Sequence, residues 1–312
     1  LHFEFYGSCK SLAKLFQSST IWMPRSPVSK MSLLVALILS PYIVIRFFIK
    51  AWFLRKRNCL VYMHGLLEKI FFAPSLRYFN IPYVFVEHAT IGDWLIKNPL
   101  FKVYKKNLKY KRSKLITVSK LMERDLKSLK PTVIPNAINR KFQSNKPKNS
   151  KRRILYVGRL TKDKGVHTIL EASKNLPNYQ FVFIGRGPLA HDIQNSQCKL
   201  YDNMSHRKIM DYFKKVDLLL LPSDKKDPFG LTVLEAMSQQ VPALISEKVG
   251  ILDYLKENEN VFVFQNDLRT SIGEIFENPK SLNYVRSNLE QTYRTFGYKY
   301  MANTYFKIFQ KL

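Results

Sequence analysis

Two pairs of charged residues stand where this chain could do chemistry. In "YVGRLTKDKG" an apolar run ends at Gly158, and Arg159 and Lys164 follow before Gly165 opens the next segment. Arginine offers a planar fork of donors and lysine a compact point charge, a combination suited to a diphosphate. In "DKKDPFGLTVLEAM", Asp227 precedes a Pro-Phe-Gly turn, and Glu235 lies eight residues on, among Leu, Val and Met. Gly230 marks the start of a helix, whose first amides are unpaired donors able to hold phosphate. Glu235, about a turn further in, could accept hydrogen bonds from sugar hydroxyls, while Asp227 could face a second ring. Taken singly, each residue has a plainer explanation. Arg159 and Lys164 would be surface cations near a turn, Asp227 a turn cap and Glu235 a helix cap.

The elements that must position these residues are clearest after residue 150. "RRILYVGRL", "YQFVFIGRGP", "DLLLLPS" and "PALIS" are short apolar strands, separated by "VHTILEASKNL", "HRKIMDYFKKV" and "GLTVLEAMSQQ" with helical spacing. That alternation predicts βαβ units and a parallel, doubly wound sheet. The first half repeats it more faintly. "LHFEFYG", "NCLVYMHG", "IPYVFVEH", "SKLITVS" and "PTVIPN" read as strands, and the polar, basic "KFQSNKPKNSKR" as the linker. The expectation is α/β, with two Rossmann-like doubly wound domains facing across a cleft. They would cover residues 1–145 and 146–312, with a last helix over about 286–312 packing back on the first domain. Ligands in such sheets bind beyond the C-terminal strand ends.

The 312 residues carry a formal net charge of +28, with +21 of it in residues 1–150 and +7 in residues 151–312. Such asymmetry attracts polyanions or an anionic membrane surface. Three scattered cysteines, Cys9, Cys59 and Cys198, give no disulfide framework and favour a reducing compartment. No His/Cys/Asp cluster has metal-ligand spacing. Between Met31 and Leu54 the uncharged run is 15 residues and contains Pro41, whereas a membrane span needs about 20. Arg46, Lys50 and Arg57 near one helical face, with Phe47, Phe48, Trp52 and Phe53 between them, suit a helix lying in a membrane interface. A core helix of the first domain fits as well, and both readings stay open. The basic run from Tyr104 to Lys114 adds to the surface reading.

Together, Gly158-Arg159…Lys164-Gly165 and Asp227, seven residues, Glu235 around Phe-Gly-Leu resemble the signature of the retaining glycosyltransferases of family four, which have the GT-B fold. "VIPNAIN" and "ITVSK" match that family's wording, and "YMHG" and "IPYVFVEH" are weaker echoes. The resemblance implies that Arg159 and Lys164 neutralise the leaving diphosphate, and that Glu235 holds the nucleotide ribose. Asp227 would hold hydroxyls of the transferred sugar. Amides around Phe229, Gly230, Leu231 and Thr232 would bind phosphate. His88 would contact the sugar from the other domain, whereas His64 gains little from the match. Gly158, Gly185 and Gly7 would let backbone approach the donor, and the loop carrying Asn203 and Met204 would pass the base. His167 and His206 read as structural or exposed. Three departures stand out: Asp227 for the usual Glu, Gln240 for a common glycine, and "VGILDYL" for Gly-Gly-x-Pro-Glu.

The implied activity is metal-independent transfer of a hexosyl-type sugar, with retention, from a nucleotide-sugar co-substrate to a glycan or lipid-linked acceptor. No separate cofactor is implied. The setting would be cytoplasmic and peripheral to an anionic membrane. A nucleic-acid-binding protein is the alternative that charge and 17 tyrosines suggest, but no RNA-binding motif accompanies them. A GT-B epimerase or hydrolase acting on nucleotide sugars is a further alternative.

Overall fold

Continuous apolar runs become parallel strands because both faces of such strands are covered by the crossover helices. The computed structural model describes residues 30–56, 59–89, 99–143, 152–202, 204–265 and 267–312. Contacts divide the chain into two units, Leu1–Pro135 with Lys299–Leu312, and Asn136–Tyr298. "LHFEFYG" and most of "KFQSNKPKNSKR" lie outside the described residues.

The first unit runs α1 (Lys30–Leu54), β1 (Val61–Met63), α2 (Leu66–Phe71), α3 (Ala73–Tyr78), β2 (Tyr83–Glu87), α4 (Leu100–Leu108), β3 (Ser113–Thr117), α5 (Lys120–Asp125) and β4 (Thr132–Val133). Its four described strands pair in sequential order, all parallel. Every residue of β2 is buried. On α1, Phe47 and Ala51 are buried, and Phe47 stacks on Phe72 with ring centroids 4.0 Å apart. Tyr42, Ile45, Phe48, Ile49, Trp52 and Phe53 of the same helix are exposed. Part of the helix thus packs in the core of the first unit, as one of the two readings expected, while its other face leaves these large apolar side chains exposed. Among the described residues, no helix is long and apolar enough to cross a membrane.

The second unit runs β5 (Arg153–Val157), α6 (Val166–Lys174), β6 (Gln180–Ile184), α7 (Ala190–Gln194), β7 (Lys199–Tyr201), α8 (His206–Phe213), β8 (Leu218–Leu221), α9 (Leu231–Ser238), β9 (Ala243–Ser246), β10 (Phe262–Phe264), α10 (Leu268–Glu277) and α11 (Pro279–Thr295). Its sheet is parallel, in the order β10-β9-β8-β5-β6-β7. The chain starts at β5, winds outward to β7, then returns to β8 on the other side. The switch point lies between β5 and β8, whose following loops carry Arg159–Lys164 and Asp227. Open α/β sheets bind ligands at that point.

Two strands, β7 and β10, are additions to the sequence reading; each is three residues long, too short for an apolar run to stand out. The terminal helix expected over about 286–312 is two helices, α11 and α12 (Tyr298–Phe309), parted at Phe296 and Gly297.

Gln240, where the family resemblance expects glycine, has φ 59° just after α9. A side chain in this left-handed region costs roughly 1–2 kcal/mol, and glycine returns part of that as unfolded-chain entropy. Gln240→Gly should therefore raise stability by about 0.5–1 kcal/mol, read as a higher urea midpoint at unchanged slope.

Candidate functional site at the switch point of the second sheet

β5 ends at Gly158, whose amide donates to Ile184 O (3.1 Å), and Gly185 ends β6 with its amide on Tyr201 O (3.0 Å). After Gly158 the chain turns through Arg159 to a 3-10 turn at Lys162–Lys164. Gly165 then takes φ 70°, and a Cβ there would lie 1.8 Å from Pro222 O. Only glycine lets the β5 loop press against the end of β8. Amides of Asp224 and Lys225 both reach Asp163 O at 3.1 Å, tying the two loops together.

This contact places Lys164 Nζ 2.6 Å from Asp227 Oδ2, with both side chains largely buried. Asp227 Oδ1 accepts from the Phe229 amide at 3.2 Å. Asp227 thus caps its turn, the plainer role considered above, and pairs with the lysine at the same time. Backbone bonds from outside fix the turn: Asp227 N to Lys248 O (2.8 Å), Gly250 N to Asp227 O (2.9 Å) and Ile251 N to Phe229 O (2.8 Å). "VGILDYL", which replaces the family's usual residues, supplies most of this clasp. Gly230 takes φ 85°, and a Cβ would meet Val249 Cγ1 at 2.5 Å.

The Phe229 ring is buried edge-on to Phe296 and tilted against Tyr254, so it anchors the loop from the core. Its amide is turned onto Asp227. At the N-terminus of α9, the amides of Leu231 and Thr232 make no hydrogen bond among the described residues. They remain oriented donors at the positive end of a helix.

Glu235 lies on the second turn of α9 and is not a cap. Its Oε1 is 2.7 Å from His206 Nε2. His206 is the first residue of α8, behind an N-cap at Ser205 and two residues after Met204. The sequence reading left it as structural or exposed; its place just after the loop expected to pass the base was the available signal. Arg159 is exposed and pairs with Asp163 at 3.2 Å. Gly7 and Asn203 lie outside the described residues. A cavity of about 320 Å3 nearby is lined by Arg140, Lys141, Arg207, Met210, Lys214 and Gln239 among others, and by none of the expected site residues. Among the described residues, no group of three or more His, Cys, Asp or Glu could hold a metal ion.

In the first unit, His88 follows β2, and its ring stacks on His64 with centroids 4.9 Å apart. His88 Nε2 is buried with no hydrogen-bond partner among the described residues. Behind it lies a network that sequence reasoning missed. Fully buried Lys69 donates to Val86 O and Glu87 Oε1, both at 2.7 Å, and Tyr104 donates to the same Glu87 oxygen at 2.7 Å. Burial, then the Lys69 charge, lowers the His88 pKa to about 4. Burial also holds His64 well below its ordinary value, with His88 and Lys69 adding to it.

The family model for glycosyl transferases group 1 matches residues 137–292, half of the chain. The chain belongs to this family. A glycosyltransferase of Bacillus subtilis (strain 168) named for teichuronic acid biosynthesis, TuaC, is 24% identical over 202 residues, 59% of this chain and 51% of that protein. The chain thus spans about half the length of the curated relatives it matches. Among solved structures, HepE of Anabaena in complex with UDP-glucose superposes with a TM-score of 0.76 at 15% identity, covering 98% of this chain and 90% of that one. The apo form of the lipopolysaccharide outer core galactosyltransferase WaaB gives 0.72 at 16%, covering 99% and 97%. These likenesses show that this group 1 chain has the GT-B fold.

Because the folded His88 pKa lies below that of the unfolded chain, the unfolded state takes up the extra proton as pH falls from about 6.5 to 4, and stability falls with it. Between pH 7 and pH 4 the wild type should lose about 2–3 kcal/mol relative to His88→Leu. Urea unfolding of both proteins at the two pH values checks this; parallel losses would show that His88 is not held neutral.

Proposed function

We propose that this chain is a retaining glycosyltransferase that moves a hexosyl-type sugar from a nucleotide sugar to a glycan or lipid-linked acceptor at an anionic membrane surface. The observation that carries the donor reading is the Lys164–Asp227 pair at the switch point, just before α9, whose open amides at Leu231 and Thr232 lie about one helical turn from Glu235. Lysine has three N–H donors. One is given to Asp227, leaving two for a diphosphate oxygen. The amides of Leu231 and Thr232 add fixed dipoles, and Arg159, exposed and held only at its outer end, can swing in. HepE, bound to UDP-glucose, supports a nucleotide-sugar donor.

In this reading the bond between the sugar's anomeric carbon and the phosphate oxygen breaks, and its electron pair goes to the diphosphate. Lys164, Arg159 and the amides stabilise that charge as it develops. The acceptor oxygen bonds to the anomeric carbon on the face the phosphate leaves, and its proton passes to the departing phosphate oxygen. Asp227, held by Lys164 and the Phe229 amide, orients sugar hydroxyls, and Glu235 takes the ribose. The chain's cations and amides do this work without a metal ion or separate cofactor.

The membrane part rests on α1. Arg55 lies over the Trp52 ring at 4.7 Å and Arg46 over Tyr42 at 5.6 Å, cations at the rim of an exposed aromatic face. That arrangement suits the headgroup layer of an anionic bilayer. WaaB, which acts on lipopolysaccharide outer core, is a precedent for this fold at a lipid-linked acceptor.

Lys164→Ala should lower turnover of the accepted donor by roughly 100-fold or more; turnover within a few-fold of wild type would remove Lys164 from the site. Trp52→Ser with Phe53→Ser should abolish cosedimentation with phosphatidylglycerol vesicles and leave the urea midpoint nearly unchanged, since both side chains are exposed. Retained cosedimentation would reject the membrane reading.

A further inference from the structure

Glu235 is one of three side chains joined end to end in the second unit. Arg140 Nη2 contacts His206 Nδ1, and His206 Nε2 is 2.7 Å from Glu235 Oε1. A guanidinium has donors only, so Nδ1 must supply a lone pair, and the ring proton sits on Nε2, facing the carboxylate. The direction of every hydrogen bond in the chain is thereby set. Glu235 Oε1 is occupied by a donor, while Oε2 makes no hydrogen bond among the described residues.

Each member is held by its backbone. The Arg140 carbonyl accepts from the buried Tyr293 hydroxyl at 2.9 Å. Three residues on, the Gln143 amide bonds Ser238 O at 2.9 Å, at the end of the helix that carries Glu235. His206 is fixed by the Ser205 cap of α8, and Glu235 by the buried residues flanking it on α9.

We propose that Arg140 and His206 are positioning residues for the nucleotide: they lock the Glu235 carboxylate in the rotamer that presents Oε2 to a ribose hydroxyl. This rests on the reading of Glu235 as the ribose-binding residue. A carboxylate on a helix surface otherwise samples several rotamers, and each sampled one dilutes the geometry that binds. The guanidinium charge, passed through the imidazole, also polarises the N–H that Glu235 accepts.

The test is calorimetric titration of UDP, GDP, ADP and CDP into the full chain, followed by the 2′,3′-dideoxy form of whichever binds. His206→Ala should weaken binding about tenfold, the scale of one hydrogen bond to a charged group. His206→Gln can donate to Glu235 and accept from Arg140, and should recover to within about threefold of wild type. With the dideoxy ligand the penalty of His206→Ala should vanish, because the hydroxyl it positions Glu235 for is absent. A merely structural role would weaken both ligands alike, and that result overturns the relay. So does unchanged or tighter binding by His206→Ala, the latter marking His206 as a competitor for the carboxylate. If the wild type binds one of the diphosphates and Glu235→Ala binds it equally well, the ribose reading fails; if the wild type binds none, the donor reading fails. The relay falls with either.

Discussion

Much of the second unit's site depends on one ion pair that bridges two loops. Lys164 comes from the loop after β5 and Asp227 from the loop after β8, and they meet at 2.6 Å with most of their surface removed from water. Stranding one partner of a fully buried pair costs about 3–5 kcal/mol, and this partly exposed pair lies below that range. Its larger contribution is geometric. It holds two loops at the winding reversal of the sheet in one arrangement, so that donors from one strand end and a carboxylate from the next converge. Gly165, the Asp163 carbonyl and the 248–251 segment all serve that convergence.

The first unit shows a different use of buried charge. Lys69 is fully enclosed, and its ammonium is satisfied by a carbonyl and a carboxylate. The carboxylate is further satisfied by Tyr104, whose own hydroxyl is held protonated well above its usual range by burial and then by Glu87. A complete network of this kind is tolerable in a core, where a partial one would not be. The Lys69 charge lies near the two stacked histidines, His64 after β1 and His88 after β2, so their protonation is discouraged first by burial and then by that charge.

Strand positions were legible wherever the apolar run was continuous and five or so residues long, as in "RILYV" and "QFVFI". β7 and β10 escaped because three residues carry too little pattern, and β7 exposes part of its surface. The glycine and charge spacing around residues 158–165 and 227–235 picked out two loops that meet in the structure, since backbone geometry demands Gly165 and Gly230 there. Partnerships across long separations were not legible. Nothing local to Lys69 or Glu87 announces that they meet, and His206 carries no mark of its bond to a residue 29 positions away. For the same reason α1 could be read two ways: a helix whose apolar side chains outnumber its few cations does not say which side its neighbours cover.

The clasp between residues 227–229 and 248–251 is a short parallel pairing, with Asp227 opposite Val249. Side chains on paired backbone alternate in direction, so the register of that pairing decides which way Asp227 points. A one-residue insertion or deletion between Ser246 and Gly250 would turn the carboxylate away from Lys164 without altering a single charged residue. The length of that turn is therefore as much a part of the proposed donor site as the acid itself. Because the clasp is made by backbone atoms, "VGILDYL" can form it without the side chains that the family resemblance leads one to expect.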